Sequence, residues 1–258
     1  MNAQSTVEIL PDESHLAEAA ADRFVGIIEA TLRYRQVADV ALAGGSTPRA
    51  MNALLAAAPR RSHVQWDRVR FFFGDERTVP PNDAESNYRM TRETLFDPLG
   101  IPPAHVFRMR GEDDPATAAA AYADVLVREL GDRPRFDLLY LGMGPDGHTA
   151  SIFPGTVASI DDSKLVVANW VEQFKTWRIT LTPHVINDAT HVVITTGGSG
   201  KADALAAVLD GPREPDRYPV QLVDPTDGEL HWLIDEAAAA KLARRAGAAA
   251  RSSSAPSR

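Results

Sequence analysis

The sequence predicts an open α/β fold, a mostly parallel sheet with helices on both faces. Two observations carry this expectation. Short apolar runs alternate with stretches of helical periodicity along most of the chain. Four of those runs end in glycine-rich or charged loops, and a parallel sheet gathers such loops along the edge where ligands bind. No internal repeat and no long linker interrupts the pattern, so residues 1–247 are expected to form one domain.

Val7–Leu10 reads as the first strand. From Ser14 to about Tyr34 a helix is expected, because Leu16, Ala20, Phe24, Ile27, Ile28 and Leu32 fall on one stripe. Val37–Ala43 is a strand that ends at Gly44-Gly45. Thr47-Pro48, a hydroxyl followed by proline, signals a helix running to about Ala57. Val69–Phe73 is the next strand, followed by a polar loop over Gly74–Ser86 and a helix over Asn87–Leu95. Pro-rich Asp97–Ala104 connects to a short strand at His105–Phe107. Pro115–Leu130 is an Ala-rich helix. Phe136–Leu141, free of Pro and Gly, reads as a strand buried on both faces. Lys164–Ala168, Trp177–Leu181 and His191–Thr196 are further strands, and Lys201–Leu209 a helix. Leu230–Ile234 is the last strand and Glu236 to about Ala246 the last helix. The tail 248–258, rich in Ala, Ser and Arg, is expected to be disordered.

Composition narrows the function. The 258 residues are 44% hydrophobic and 24% charged, as in an ordinary globular protein with a sizeable core. A net charge of −8 argues against nucleic acid or an anionic membrane as the main partner. A small anion needs only a local basic pocket. With no cysteine there is no disulfide framework, thiolate nucleophile or Cys-based metal site. The first residues carry no basic-then-apolar signal pattern, and no apolar run approaches membrane-spanning length. The expected location is the cytoplasm.

The four loops hold the chemistry. Ala43–Arg49 places two glycines and two hydroxyls, Ser46 and Thr47, at a helix start, where orphan N–H groups and the helix dipole favour an anion. It lacks the spacing and the Lys-Ser/Thr pair of a Walker loop, and taken alone an ordinary capped helix start explains it slightly better. Gly74-Asp75-Glu76-Arg77 sets three charges directly after an apolar strand, facing either a site or one another. Gly142–Gly147 matches G-x-G-x-x-G literally. Pro154-Gly155 follows too soon for the full helix a dinucleotide site needs, so no nicotinamide site is expected. His148 in that loop is a candidate general base, since imidazole titrates near neutrality; the alternative is a tight turn capped by Asp146. Gly197–Lys201 again suits an anion, with Lys201 as a mobile point charge. No G-x-S-x-G elbow or H-E-x-x-H spacing is present, so neither a serine acyl-enzyme nor a metal mechanism is suggested. Together the loops imply a phosphorylated substrate and acid–base chemistry.

At this point the sequence resembles the 6-phosphogluconolactonases. The matching segments are ALAGGSTPRAM (Ala41–Met51), FFFGDERTVP (Phe71–Pro80), SNYRM (Ser86–Met90), LGMGPDGHTASIFP (Leu141–Pro154), RITLTPHVIN (Arg178–Asn187) and GGSGKADAL (Gly197–Leu205). The resemblance implies a Rossmann-like fold shared with glucosamine-6-phosphate deaminases and ribose-5-phosphate isomerases, with no metal and no cofactor. It implies hydrolysis of 6-phospho-D-glucono-1,5-lactone, a small phosphorylated sugar lactone, by a monomer or weak homodimer. His148 matches the family's proposed base, with Asp146 orienting it. Gly44, Gly45, Ser46 and Thr47 match the phosphate loop, with Lys201 as a phosphate partner. Arg77 matches a substrate-binding arginine that meets phosphate or the oxyanion, and Arg178 is a further substrate-contact candidate. The alternatives are an amino-sugar-phosphate isomerase/deaminase and a non-catalytic sugar-phosphate sensor. Deaminases of this fold carry a carboxylate seven residues after the aspartate of their D-G-H core, and Phe153 stands there in this sequence.

Overall fold

The computed structural model describes residues 5–159 and 163–243. Six strands form the main sheet: β1 (Ser5–Leu10), β2 (Ala38–Leu42), β3 (Val69–Phe73), β5 (Leu138–Gly142), β8 (His191–Thr196) and β9 (Glu229–Asp235). Their order is β1-β9-β8-β5-β2-β3, and every pairing is parallel. A second, antiparallel sheet holds β4 (Asp75–Arg77), β7 (Thr176–Leu181) and β6 (Val166–Val171), in that order.

Side chains on the central strands alternate between two cores, as the two-residue period requires. Leu138 and Tyr140 face one core together with α1 (Glu13–Thr31) and α2 (Ser46–Ala56). Leu139 and Leu141 face the other, shared with α5 (Pro115–Leu130), α7 (Ala202–Asp210) and the antiparallel sheet. The Tyr140 hydroxyl would be costly to bury unpaired, and it donates to Ala20 O at 2.7 Å. The expected α/β class, with helices on both faces, is the observed one.

The differences have physical causes. The loop after Phe73 contains β4, because Asp75, Glu76 and Arg77 pair with Thr180, Ile179 and Arg178. Only four residues separate β6 from β7, too few for a crossover, so these strands close an antiparallel hairpin instead of joining the parallel sheet. The short helix α6 (Pro183–Asn187) follows it. His105–Phe107 is no strand: it makes a single bridge, Phe71 to Val106. The expected helix over Asn87–Leu95 is α3 (Asn87–Thr91), which runs into a π-helical turn and the single turn α4 (Asp97–Leu99). After β9 the described residues form a 3-10 turn, Ala238–Lys241, rather than a long helix. The tail 248–258 lies outside the described residues. Among the described residues no helix is long and apolar enough to cross a membrane.

The two edges of the parallel sheet differ. At the N-terminal edge, buried Asp39 accepts from Arg70 Nε at 2.7 Å and from Arg35, and Asp137 accepts from Arg35 and from the Asp39 N–H. Around β2 and β5 that edge is closed by its own charges. At the C-terminal edge, the chain leaves β2 toward β3 on one side and comes back to β5 on the other. This reversal of strand order opens a crevice between β2 and β5.

Candidate active site

The crevice holds a cavity of about 270 Å³, lined by the loops after β2, β3 and β5 and by Lys201. Gly44, Gly45, Ser46, Thr47, Arg77, His148 and Lys201 all reach it. Asp146 touches His148 from behind, and Arg178 lies outside the lining, opposite Arg77 in the antiparallel sheet.

The loop after β5 is built around one hydrogen-bonded couple. His148 Nδ1 lies 2.5 Å from Asp146 Oδ1, and the same oxygen accepts from the His148 backbone N–H at 3.2 Å. A carboxylate accepts only, so in the neutral ring the proton is on Nδ1 and the lone pair on Nε2. Burial raises the Asp146 carboxyl, but the hydrogen bond and charge of His148 outweigh it and hold the carboxyl below its ordinary range. The Phe153 ring stacks on the imidazole, centroids 4.1 Å apart, and Phe174 packs edge-on against Phe153. Gly144 leaves the room for this arrangement. A Cβ there would stand 2.1 Å from His148 Cε1 and 2.8 Å from Asp146 Oδ1. The loop closes through a turn and a Thr149–Ile152 bridge, with no helix after its glycines, so the dinucleotide reading has no support.

The loop after β2 leads into α2, which begins at Ser46, one residue earlier than the Thr47-Pro48 signal suggested. Its cap is Gly45, at φ +113°, and no side chain bonds the first turn. The N–H groups of Ser46 and Thr47 therefore point past the helix end with no intrahelical partner. Asn87 packs against Gly44 and donates to Asp75 O at 3.0 Å. Asn87 and Asp75 also line the cavity.

The charges after β3 divide into two kinds. Glu76 is buried, and its carboxylate accepts from the N–H groups of Arg77, Asn87 and Tyr88 and from the Ser86 hydroxyl. It anchors the start of α3. Asp75 accepts from Ser151 Oγ at 2.6 Å. Arg77 donates to the Glu85 carbonyl and stays without an ion pair among the described residues. Its cross-strand neighbour is Arg178, also without one. Burial, and then the Arg77 charge, push Arg178 below the ordinary guanidinium range. Two like charges set side by side repel, and a shared anion relieves the repulsion.

The loop after β8 differs from expectation. The Gly198 N–H donates to both Asp235 oxygens, at 3.1 and 2.8 Å, so this turn is filled by the protein's own carboxylate and offers no second anion cradle. Its contribution to the cavity is the Lys201 side chain. Burial pushes the Lys201 ammonium below its ordinary value, against the opposing pull of Asp235 and Glu13. Sequence reasoning did not give Phe153 its contact with His148 or Asn87 its place on the wall, and for Asp75 it left a site-facing and a purely ionic role open. The S-N-Y segment after the charged loop was the only signal for Asn87.

Comparison with known proteins shows the family. Residues 11–232 match the family model described as "Glucosamine-6-phosphate isomerases/6-phosphogluconolactonase". A protein of Treponema pallidum named 6-phosphogluconolactonase is 42% identical over 199 residues, 76% of this chain and 82% of that one. One of Nostoc with the same name is 35% identical over 93% of this chain and 99% of its own. The solved structure of 6-phosphogluconolactonase from Trypanosoma cruzi superposes with a TM-score of 0.83 at 31% identity, covering 94% of this chain and 98% of that one. Since the model match spans most of the chain and the relatives align over three quarters of it or more, this protein belongs to the glucosamine-6-phosphate isomerase/6-phosphogluconolactonase family.

Proposed function

We propose that the protein hydrolyses 6-phospho-D-glucono-1,5-lactone to 6-phospho-D-gluconate, the lactonase step of the oxidative pentose phosphate pathway. The observation that carries this reading is the Asp146–His148 couple on the cavity wall, with Phe153 stacked on the imidazole. His148 Nε2 takes a proton from water as the water oxygen attacks the lactone carbonyl. Asp146 holds the ring in the required tautomer and stabilises the imidazolium that forms. The tetrahedral intermediate collapses by breaking the bond from C1 to the ring oxygen. The imidazolium returns its proton to that leaving oxygen.

The phosphate sits at the bare N-terminus of α2, among Gly44, Gly45, Ser46 and Thr47, with Lys201 as its cation. Arg77 meets the second centre of negative charge, and Arg178 reinforces it from the neighbouring strand. One base, one water and fixed cations suffice for this reaction, so the proposal requires no metal and no nucleotide. It treats the protein as a monomer or weak homodimer acting in the cytoplasm.

The family model also covers sugar-phosphate isomerases. Ring opening and isomerisation need proton transfers at several atoms. Phe153, where a deaminase would supply a carboxylate, cannot relay a proton. A sensor would have no use for an oriented base. The test is to feed purified protein freshly generated 6-phosphogluconolactone and follow acid release against the spontaneous rate. Acceleration is expected, with no ammonia from glucosamine 6-phosphate. No acceleration, or ammonia above that of a His148→Ala control, overturns the proposal.

A further inference from the structure

The opposite edge of the parallel sheet carries a second cluster of chemistry-bearing side chains. His191 is the first residue of β8, Glu229 the first of β9, and His231 the third of β9. They are 38 and 40 residues apart in sequence, and only the β8–β9 pairing, which sets His191 beside Glu229, brings them together. His191, Glu229 and His231 each offer one ligating atom, and these atoms lie within 4.8 Å of one another. Glu229 Oε2 is 3.3 Å from His191 Nδ1 and 3.2 Å from His231 Nε2. Those separations match the ligand-to-ligand edge of a tetrahedral ion with bonds of about 2.0–2.1 Å.

Two further observations point to a ligand. His191 Nδ1 is buried with no hydrogen-bond partner, because its approach to Glu229 has the distance but not the angle of a hydrogen bond. An orphaned buried nitrogen is costly, and an ion would satisfy it. His231 Nδ1 lies 2.9 Å from Thr6 Oγ1, the kind of outer partner that orients a metal-bound imidazole. Binding through Nε2 leaves Nδ1–H to donate to Thr6. Arg23 Nη1, which can only donate, lies 3.3 Å from Nδ1, so zinc binding requires that guanidinium to turn from the ring toward Glu8, which already accepts from its Nη2 at 3.0 Å. An entry path exists: Glu8, Glu18 and Asp22 line a groove that ends at His191, and Glu229 is half exposed.

We propose that His191, Glu229 and His231 form a binding site for a divalent first-row transition ion, zinc being the expected one. Two imidazoles and one carboxylate suit zinc and are a poor set for magnesium or calcium. The fourth position, on the Glu229 side, is open to water. The site stands about 17–20 Å of strand away from the His148 loop, at the other end of β8. Its role is therefore structural, a brace across the starts of β8 and β9, and it takes no part in the lactonase reaction.

The experiment uses the full-length, tag-free chain, stripped with chelator and titrated with zinc chloride by calorimetry. One zinc per chain is expected, with a rise in melting temperature. The affinity should fall at least tenfold in His191→Ala, whose side chain is partly exposed, and should stay unchanged in His148→Ala. Thr6→Val should weaken binding about 10–100-fold. Lactonase activity should be the same before and after chelation, which separates this site from the catalytic reading. Absence of a stoichiometric site, equal binding by His191→Ala, or loss of binding in His148→Ala would overturn the proposal.

Discussion

Replacing Asp146 with Asn isolates one term of the proposed chemistry. The amide keeps the size of the side chain, and its oxygen can still accept from His148 Nδ1–H and from the His148 backbone N–H, which now share Asp146 Oδ1. Loop and tautomer are preserved, and only the negative charge is lost. That charge stands 2.5 Å from the imidazole, and the two side chains are 24% and 32% exposed. At an effective dielectric of about 40, intermediate between water and the interior, the attraction to a newly formed imidazolium is roughly 3 kcal/mol. Allowing for the dipole the amide retains, the loss is about 2–3 kcal/mol of transition-state stabilisation, or roughly 30–150-fold in kcat. The assay is initial-rate acid release, corrected for spontaneous hydrolysis, with far-UV circular dichroism as the control for folding. A folded Asp146→Asn protein within threefold of the wild-type kcat would refute the argument.

Three other outcomes follow from the same geometry. Lys201→Ala and Arg77→Ala should each raise KM or lower kcat/KM by about 10–150-fold, the loss of one charge-assisted hydrogen bond, and inorganic phosphate should compete; equal efficiency of wild type on plain gluconolactone would remove the phosphate anchor. Gly144→Ala would place a Cβ 2.1 Å from His148 Cε1, so it should displace the ring and cost nearly as much activity as losing the base, with the fold intact. Near-normal turnover there would show that the imidazole sits elsewhere in the working enzyme. Glu112 forms a two-pronged ion pair with Arg108, which holds its carboxyl down at about 2 against an ordinary 4.5. Its folded value is depressed, so the pair stabilises the fold above pH 4.5 and that stability is lost as pH falls toward 2. Glu112→Gln should therefore flatten the acid side of the melting curve, and an unchanged acid slope would contradict the assignment.

Much of the architecture was legible because it rests on local signals. The limits of β3, α5 and β8 follow from apolar runs bounded by Gly, Pro or charge, and tertiary contacts move none of them. The parts that escaped depend on partners distant in sequence. β4 is three charged residues that become a strand only because β7 lies beside them. The hairpin of β6 and β7 could have been read from the eight residues between the expected strands Lys164–Ala168 and Trp177–Leu181, already too few for a crossover. At the site, glycines, hydroxyls and His148 announce themselves by type and position. The filling of the Gly198 turn by Asp235, 37 residues away, does not. The His191–Glu229–His231 cluster was invisible for the same reason, since no spacing motif records a juxtaposition made by strand pairing.

The central claim is that His148 is the base for lactone hydrolysis. The most direct measurement compares the rate of acid release from 6-phosphogluconolactone by wild type and by His148→Ala at equal concentration, both above the spontaneous rate. The wild type should accelerate the reaction, and the variant should retain its fold while losing on the order of 10²–10⁴ in kcat. Near wild-type turnover by folded His148→Ala would contradict the account.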